Sequence, residues 1–236
     1  MRALRSSIDS PNWGNNLLWL TIAALLNALF IGQIGLFGYG AELIAKRAGL
    51  PGKPTVDIDT NRLGDYIEKG IWPFVVHLLV QFALGLIIFI PVGLLVAIFL
   101  GIGAAVGGDE FAAFAVVMAV PILAFLAVVA AIGSVPFLIR AMVCQDFQQS
   151  FDLSWCLGFV RLMFWEILVS ALVYWLLSMC TIILGLLMLC LGYFPAIGMV
   201  SGGAMHLVAQ WYEVYLSRGG VAVLAAGEQV IDAVEI

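Results

Sequence analysis

Residues 163–211 read MFWEILVSALVYWLLSMCTIILGLLMLCLGYFPAIGMVSGGAMHLVAQW. These 49 residues hold one charged side chain, Glu166. As a single helix they would run about 74 Å, against roughly 30 Å of bilayer hydrocarbon. The stretch therefore folds into two membrane helices. Its best turn is Leu191-Gly192-Tyr193-Phe194-Pro195, because glycine permits a positive φ and proline suits the first position of a helix. Helix four is placed at 164–190 and helix five at 195–216.

Outward from this pair the pattern repeats. Hydrophobic residues make up 64% of the 236 and charged residues 11%, a balance that excludes a soluble fold. Residues 72–100 and 111–139 form two more long spans, carrying Pro91, and Pro121 with Pro136. Interior prolines should kink them and free carbonyls that neighbours or Ser134 must satisfy. The first apolar segment, residues 17–40, is long enough to span but contains Asn27, Gln33 and four glycines after residue 31, so a break near Ile31 to Gln33 is expected. Between spans three and four, Phe147, Phe151, Trp155 and Phe159 recur every four residues opposite polar side chains, which fits a segment lying in the membrane interface. The plain alternative is a loop with helix four starting early after an Asp152 cap. Residues 60–69 read as a short amphipathic helix.

The fold expected is thus an all-α polytopic membrane bundle of about five spans in one domain, residues 1–216, followed by a tail, residues 217–236. Lys and Arg number five in the first loop, two in the third and one in the tail, with none in the second and fourth loops. The positive-inside rule puts loops one and three and the C-terminus in the cytoplasm of a prokaryotic cell bounded by its inner membrane. Arg2 and Arg5 precede an apolar run too long for a signal sequence and without a small-x-small cleavage site, so this segment is expected to remain. If it spans, both arginines lie outside; if it is a re-entrant pair of half-helices, every basic residue is cytoplasmic.

Several phrases together carry a family resemblance: Gly38-Tyr39-Gly40, Lys46-Arg47 and Gly49-Leu50-Pro51, then Lys69-Gly70-Ile71, Phe151-Asp152, and Gly202 to Tyr212 with Gln210. Over residues 12–215 the chain resembles the uncharacterised prokaryotic membrane proteins of the domain of unknown function 4013 family. That resemblance implies a fold and no activity.

The chemistry on offer is sparse. His77 and His206 fall inside spans, where an ionisable group is a functional hypothesis, here haem or chlorophyll ligation, against the plainer role of bonding a carbonyl within the bundle. Asn27, Gln33 and Gln81 either bond between helices or line a narrow path. Gly198 and Gly202 form a GxxxG that lets another backbone approach. Seven tryptophans fall mostly near segment ends, as an interfacial belt requires. The four cysteines form no CxxC pair, and no phosphate loop, HExxH or Ser-His-Asp set appears. With a net charge of −5, nucleic acid is excluded as a partner. The reading is a membrane protein without catalytic site or cofactor, an accessory or scaffold subunit whose partners are the lipid bilayer and other membrane subunits. The rival is a small oligomeric transporter or channel, and a third reading is a haem- or chlorophyll-binding subunit.

Overall fold

The computed structural model describes residues 11–48, 57–106, 108–188 and 192–223. Among the described residues six α-helices follow one another: α1 Trp13–Leu26, α2 Ile31–Ala48, α3 Leu63–Val106, α4 Gly108–Cys144, α5 Leu153–Leu187 and α6 Tyr193–Ser217. No strand occurs among the described residues. Three stretches, Leu63–Ile102, Pro121–Cys144 and Leu153–Leu187, are long and apolar enough to cross a membrane. The chain divides into two units, Met1–Val76 with Pro136–Ile236, and His77–Val135.

In the first unit the opening apolar segment is a helical hairpin. A 3-10 turn over Asn27–Leu29 ends at Phe30, whose φ of 61° is left-handed, and α2 starts at the next residue. The break thus falls one residue before the expected stretch. Gly32 makes the reversal possible: a Cβ there would lie 1.9 Å from the Ala23 carbonyl oxygen. Both ends of the hairpin return to the same place. Asn12 and Asn16, opening α1, donate to the two oxygens of Asp57 at 2.9 Å each, and Ile58 N donates to Asn16 Oδ1 at 3.0 Å. Asp59 N in turn donates to Tyr66 Oη at 3.3 Å, and the Tyr66 ring meets Tyr39 of α2 edge-on.

Glycine governs how closely the neighbours pack. Added Cβ atoms at Gly38 and Gly70 would fall 1.7 and 1.8 Å from the carbonyl oxygens of Tyr66 and Ile34, so α2 and α3 touch backbone to backbone and reciprocally. Gly198 of α6 lies against the Leu20 backbone, 2.6 Å from a virtual Cβ, and Gly202 against the Leu20 side chain at 2.8 Å. The neighbour that this GxxxG admits is therefore α1 of the same chain.

Helix α5 begins eleven residues ahead of the expected start at 164. Asp152, in extended conformation, accepts from Trp155 N at 3.1 Å and caps it. Trp155, Cys156, Phe159, Met163 and Ile167 form its buried face. The aromatic stripe is accordingly not one lying segment. Phe147 sits in an exposed turn against Trp72, Phe151 ends a 3-10 turn, and Trp155 meets Tyr215 edge-on while Phe159 meets it tilted. Residues 60–69 likewise form no separate helix: a 3-10 turn over Thr60–Arg62 runs into α3.

The α5–α6 turn departs from expectation in its glycine. Gly192 has φ −78°, an ordinary value, and α6 starts at Tyr193 ahead of Pro195. What requires glycine there is proximity, since a Cβ would lie 2.8 Å from the Gly185 carbonyl oxygen. Leu191 lies outside the described residues. Across this helix pair the Tyr174 hydroxyl donates to the Val200 carbonyl and Trp211 Nε1 to Ser170 Oγ at 2.7 Å. Trp155 and Trp211 are thus packed side chains, whereas Trp13, Trp72, Trp165 and Trp175 are exposed. At its end α6 closes with Gly219 at φ 80°, Gly219 N donating to Leu216 O and Gly220 N to Tyr215 O. The following strap is held by Trp155 Nε1, donating to Val221 O, and by Tyr215 and Tyr212 hydroxyls, accepting from Val221 N and Val223 N. Most of the tail, from residue 224, lies outside the described residues.

The second unit holds the remaining lengths of α3 and α4, which continue as helix through Pro91 and Pro121. Gln81 Nε2 donates to Ser134 Oγ at 3.1 Å, and Ser134 donates to the Ala131 carbonyl at 2.8 Å. Along α3, Phe82, Ile87, Ile90 and Leu94 are all 60% exposed or more.

Gly38→Ala and Gly70→Ala should each destabilise the purified protein by about 1–3 kcal/mol or more, through overpacking against backbone that cannot yield. Gly35→Ala, where a Cβ meets nothing within 4 Å, should leave stability equal or raise it. Thermal unfolding in detergent checks the contrast; equal melting of all three would refute the close crossing.

Candidate functional site

Several polar side chains of the first unit meet around His206 and Glu42. His206 of α6 is 2% exposed. Its Nε2 lies 3.0 Å from Tyr39 Oη and its Nδ1 3.4 Å from an Arg47 nitrogen. Arginine has no acceptor, so Nδ1 presents its lone pair to Arg47 and Nε2 carries the hydrogen toward Tyr39. Both ring nitrogens thus have partners within the protein. Arg47 also stands 3.8 Å from Glu213. Its Nε is buried with no hydrogen-bond partner among the described residues.

Beside this cluster lies Glu42, 5% exposed. Its Oε1 takes Lys46 Nζ and Arg62 Nη1, each at 2.7 Å, while Arg62 Nε reaches Asp65 at 3.1 Å. Burial pushes the Glu42 carboxyl up, but the hydrogen bonds and charges of Lys46 and Arg62 outweigh it and hold the group below its ordinary value. Two further arginines tie loops to helices. Arg140 donates from Nε to the Gln149 carbonyl at 2.8 Å, pairs with Asp152 at 3.4 Å, and lies 5.3 Å over the Trp155 ring. Arg218 meets Glu166 at 2.6 Å, beside a groove of about 470 Å³ whose lining includes Gln210 and Trp211.

The other polar residues singled out from sequence do not join this cluster. Asn27 sits at the hairpin turn with its Oδ1 buried and without a hydrogen-bond partner among the described residues. Gln33 is half-buried in the first turn of α2. Gln81 and His77 belong to the second unit. Among the described residues no three His, Cys, Asp or Glu side chains stand close enough to hold a metal ion. Sequence reading missed Tyr39, Glu42, Arg47 and Arg62 as a group; the available signal was Glu42 and Lys46 at i,i+4 beside an arginine. Comparison of the chain with family models, with curated proteins and with solved structures gives no match.

Chemically, the arrangement is a clasp: it neutralises charge and joins α2, α3 and α6. Because the fold favours ionised Glu42, its contribution is complete above the ordinary glutamate value, about 4.3, and is lost as pH falls through the lower value it has in the fold. Thermal stability should accordingly drop in that acid range, and Arg62→Gln, by bringing the Glu42 value in the fold closer to the ordinary one, should shrink the drop and end it at higher pH. A drop of unchanged size and lower limit would mean that Arg62 does not hold the Glu42 charge. Separately, His206→Phe should cost about 1–3 kcal/mol by stripping a buried partner from Tyr39 and Arg47. Tyr39→Phe made on top should then cost less than it does alone, as melting of the four-variant cycle would report.

Proposed function

We propose that this chain is an accessory or scaffold subunit of a membrane protein complex, seated in the inner membrane of a prokaryotic cell with its charged end in the cytoplasm. In this reading it is not an enzyme and uses no cofactor, and kinship with the domain of unknown function 4013 family adds a fold without an activity. Helices α3, α4 and α5 cross the bilayer, and α6, with 25 residues or about 38 Å, crosses as a fourth. An even number of crossings keeps loop one, loop three and the tail on one side. Support for that sidedness comes from the basic residues. Lys46, Arg47, Arg62, Arg140 and Arg218 each meet an acidic partner in the first unit, while the second and fourth loops carry no Lys or Arg.

One observation carries the subunit reading. The polar groups of the clasp serve helix packing, while α3 keeps Leu95, Ile98, Phe99 and Ile102 about half exposed at its far end. A chain whose polar chemistry is used internally and whose apolar surface is in excess is built to pack against other proteins in the lipid plane. Solubilised from native membranes in mild detergent, the chain should migrate in a defined larger assembly with stoichiometric partners. Recovery as a lone monomer under conditions that preserve other membrane complexes would overturn the proposal.

A further inference from the structure

Neither helix of the hairpin α1–α2 is both long and apolar enough to cross, and the pair is tied at both ends to one place. Helix α1 has 14 residues, or about 21 Å against roughly 30 Å of bilayer hydrocarbon, and α2 has 18 but carries Glu42, Lys46 and Arg47 among its last seven. Asn12 and Asn16 at the start of α1 hold Asp57, and Glu42 near the end of α2 holds Arg62, so the hairpin opens onto the short stretch 57–62. Its turn is the reverse in character. Leu29, Phe30 and Ile31 are 65%, 58% and 44% exposed, three consecutive large apolar side chains with no charge between Trp13 and Gly40.

We infer that the hairpin is a one-sided membrane wedge. It dips into the cytoplasmic leaflet, turns at Leu29 to Ile31 among acyl chains, and returns, so that the N-terminus lies on the same side as loop one. The partner of the tip is lipid hydrocarbon. Three observations make this arrangement affordable in a medium that cannot satisfy backbone groups. Phe30 N bonds Asn27 O and Ile34 N bonds Phe30 O, which closes the turn internally. Close contacts at Gly32 and Gly198 press the hairpin's inner backbone against itself and against α6. Finally, an apolar cleft of about 130 Å³ between the hairpin and the first turns of α3 is lined by Leu26, Ile31, Gly35, Leu36 and Ile67. Leu26, Ile31 and Ile67 are also exposed, so the cleft continues the lipid-facing surface of the tip.

The wedge deepens the sidedness proposed above and rests on the chain being membrane-embedded, yet the two can fail separately. Single cysteines at Ser7 and Ser217 are to be labelled with an impermeant maleimide in right-side-out and inverted vesicles, scored above the labelling of the unmodified chain. Both sites should react only in inverted vesicles. Reaction of the two from opposite faces would overturn the wedge and leave the sidedness intact. Reaction of both from the outer face would keep a one-sided hairpin and overturn the cytoplasmic assignment. A bimane placed at Phe30→Cys then measures depth. Lipids brominated deep in the acyl chain should quench it several-fold more than aqueous iodide does, with the order reversed for bimane at Trp13→Cys. Iodide-dominated quenching at position 30 would place the tip in water and overturn the inference.

Discussion

Contact of helix backbones without intervening side chains is the condition on which the first unit depends. In lipid the hydrophobic effect does not drive helices together, so association rests on dispersion and interhelical hydrogen bonds. Each atom pair contributes only about 0.1–0.2 kcal/mol at optimal separation, and the sum grows only if many pairs come close. Gly38 with Tyr66, Gly70 with Ile34, and Gly198 with Leu20 supply that closeness. The same approach aligns the polar side chains. With α2 held against α3, Glu42 reaches Arg62; with the hairpin held against α6, Tyr39 and Arg47 reach both nitrogens of His206. The polar clasp is therefore a consequence of the apolar crossing, and its partners add selectivity to a geometry that glycine permits.

Charge follows the same logic from the other direction. A lone buried carboxylate is costly, but Glu42 presents one oxygen to two cations at 2.7 Å. His206 faces Arg47 through its lone pair, which keeps a polar ring inside the bundle without adding a second positive charge beside the guanidinium. Glu166 and Arg218, and Asp152 and Arg140, repeat the pairing around α5 and α6. Each of these carboxylates thus has a cation of the same unit beside it.

Much of the architecture was legible in the sequence because it rests on length and composition. A run of 49 apolar residues needs a reversal, and polar Asn27 with clustered glycines signals a break in the first segment. The all-helical fold and long apolar helices follow from such features. What stayed hidden depends on which neighbour a residue meets. The four-residue spacing of Phe147, Phe151, Trp155 and Phe159 suits a lying amphipathic segment equally well as the buried first turns of a capped helix. Only the Asp152 cap and the Tyr215 ring distinguish the two. Gly38 and Gly70 lie on different helices 32 positions apart, so no local motif announces that they touch. The strap held by Tyr212, Tyr215 and Trp155 is hidden for the same reason: its bonds go to backbone groups, which every sequence possesses.

Helix length adds a constraint of its own to the subunit reading. From Ile71 to Ile102, α3 presents 32 residues without a charge, or about 48 Å of apolar helix. At the average tilt of about 20° a hydrocarbon core of roughly 30 Å accommodates about 32 Å of helix, and at about 40° some 39 Å. Between about 9 and 16 Å is left over, close to two or three turns, on a helix whose far-end side chains Leu95, Ile98, Phe99 and Ile102 are about half exposed. Water is a poor neighbour for that surface, and stretching a bilayer costs fractions of a kcal/mol for every ångström of mismatch. Another polypeptide covering the excess length removes both costs at once, and it is this surplus that supports the proposed subunit over a protein acting alone.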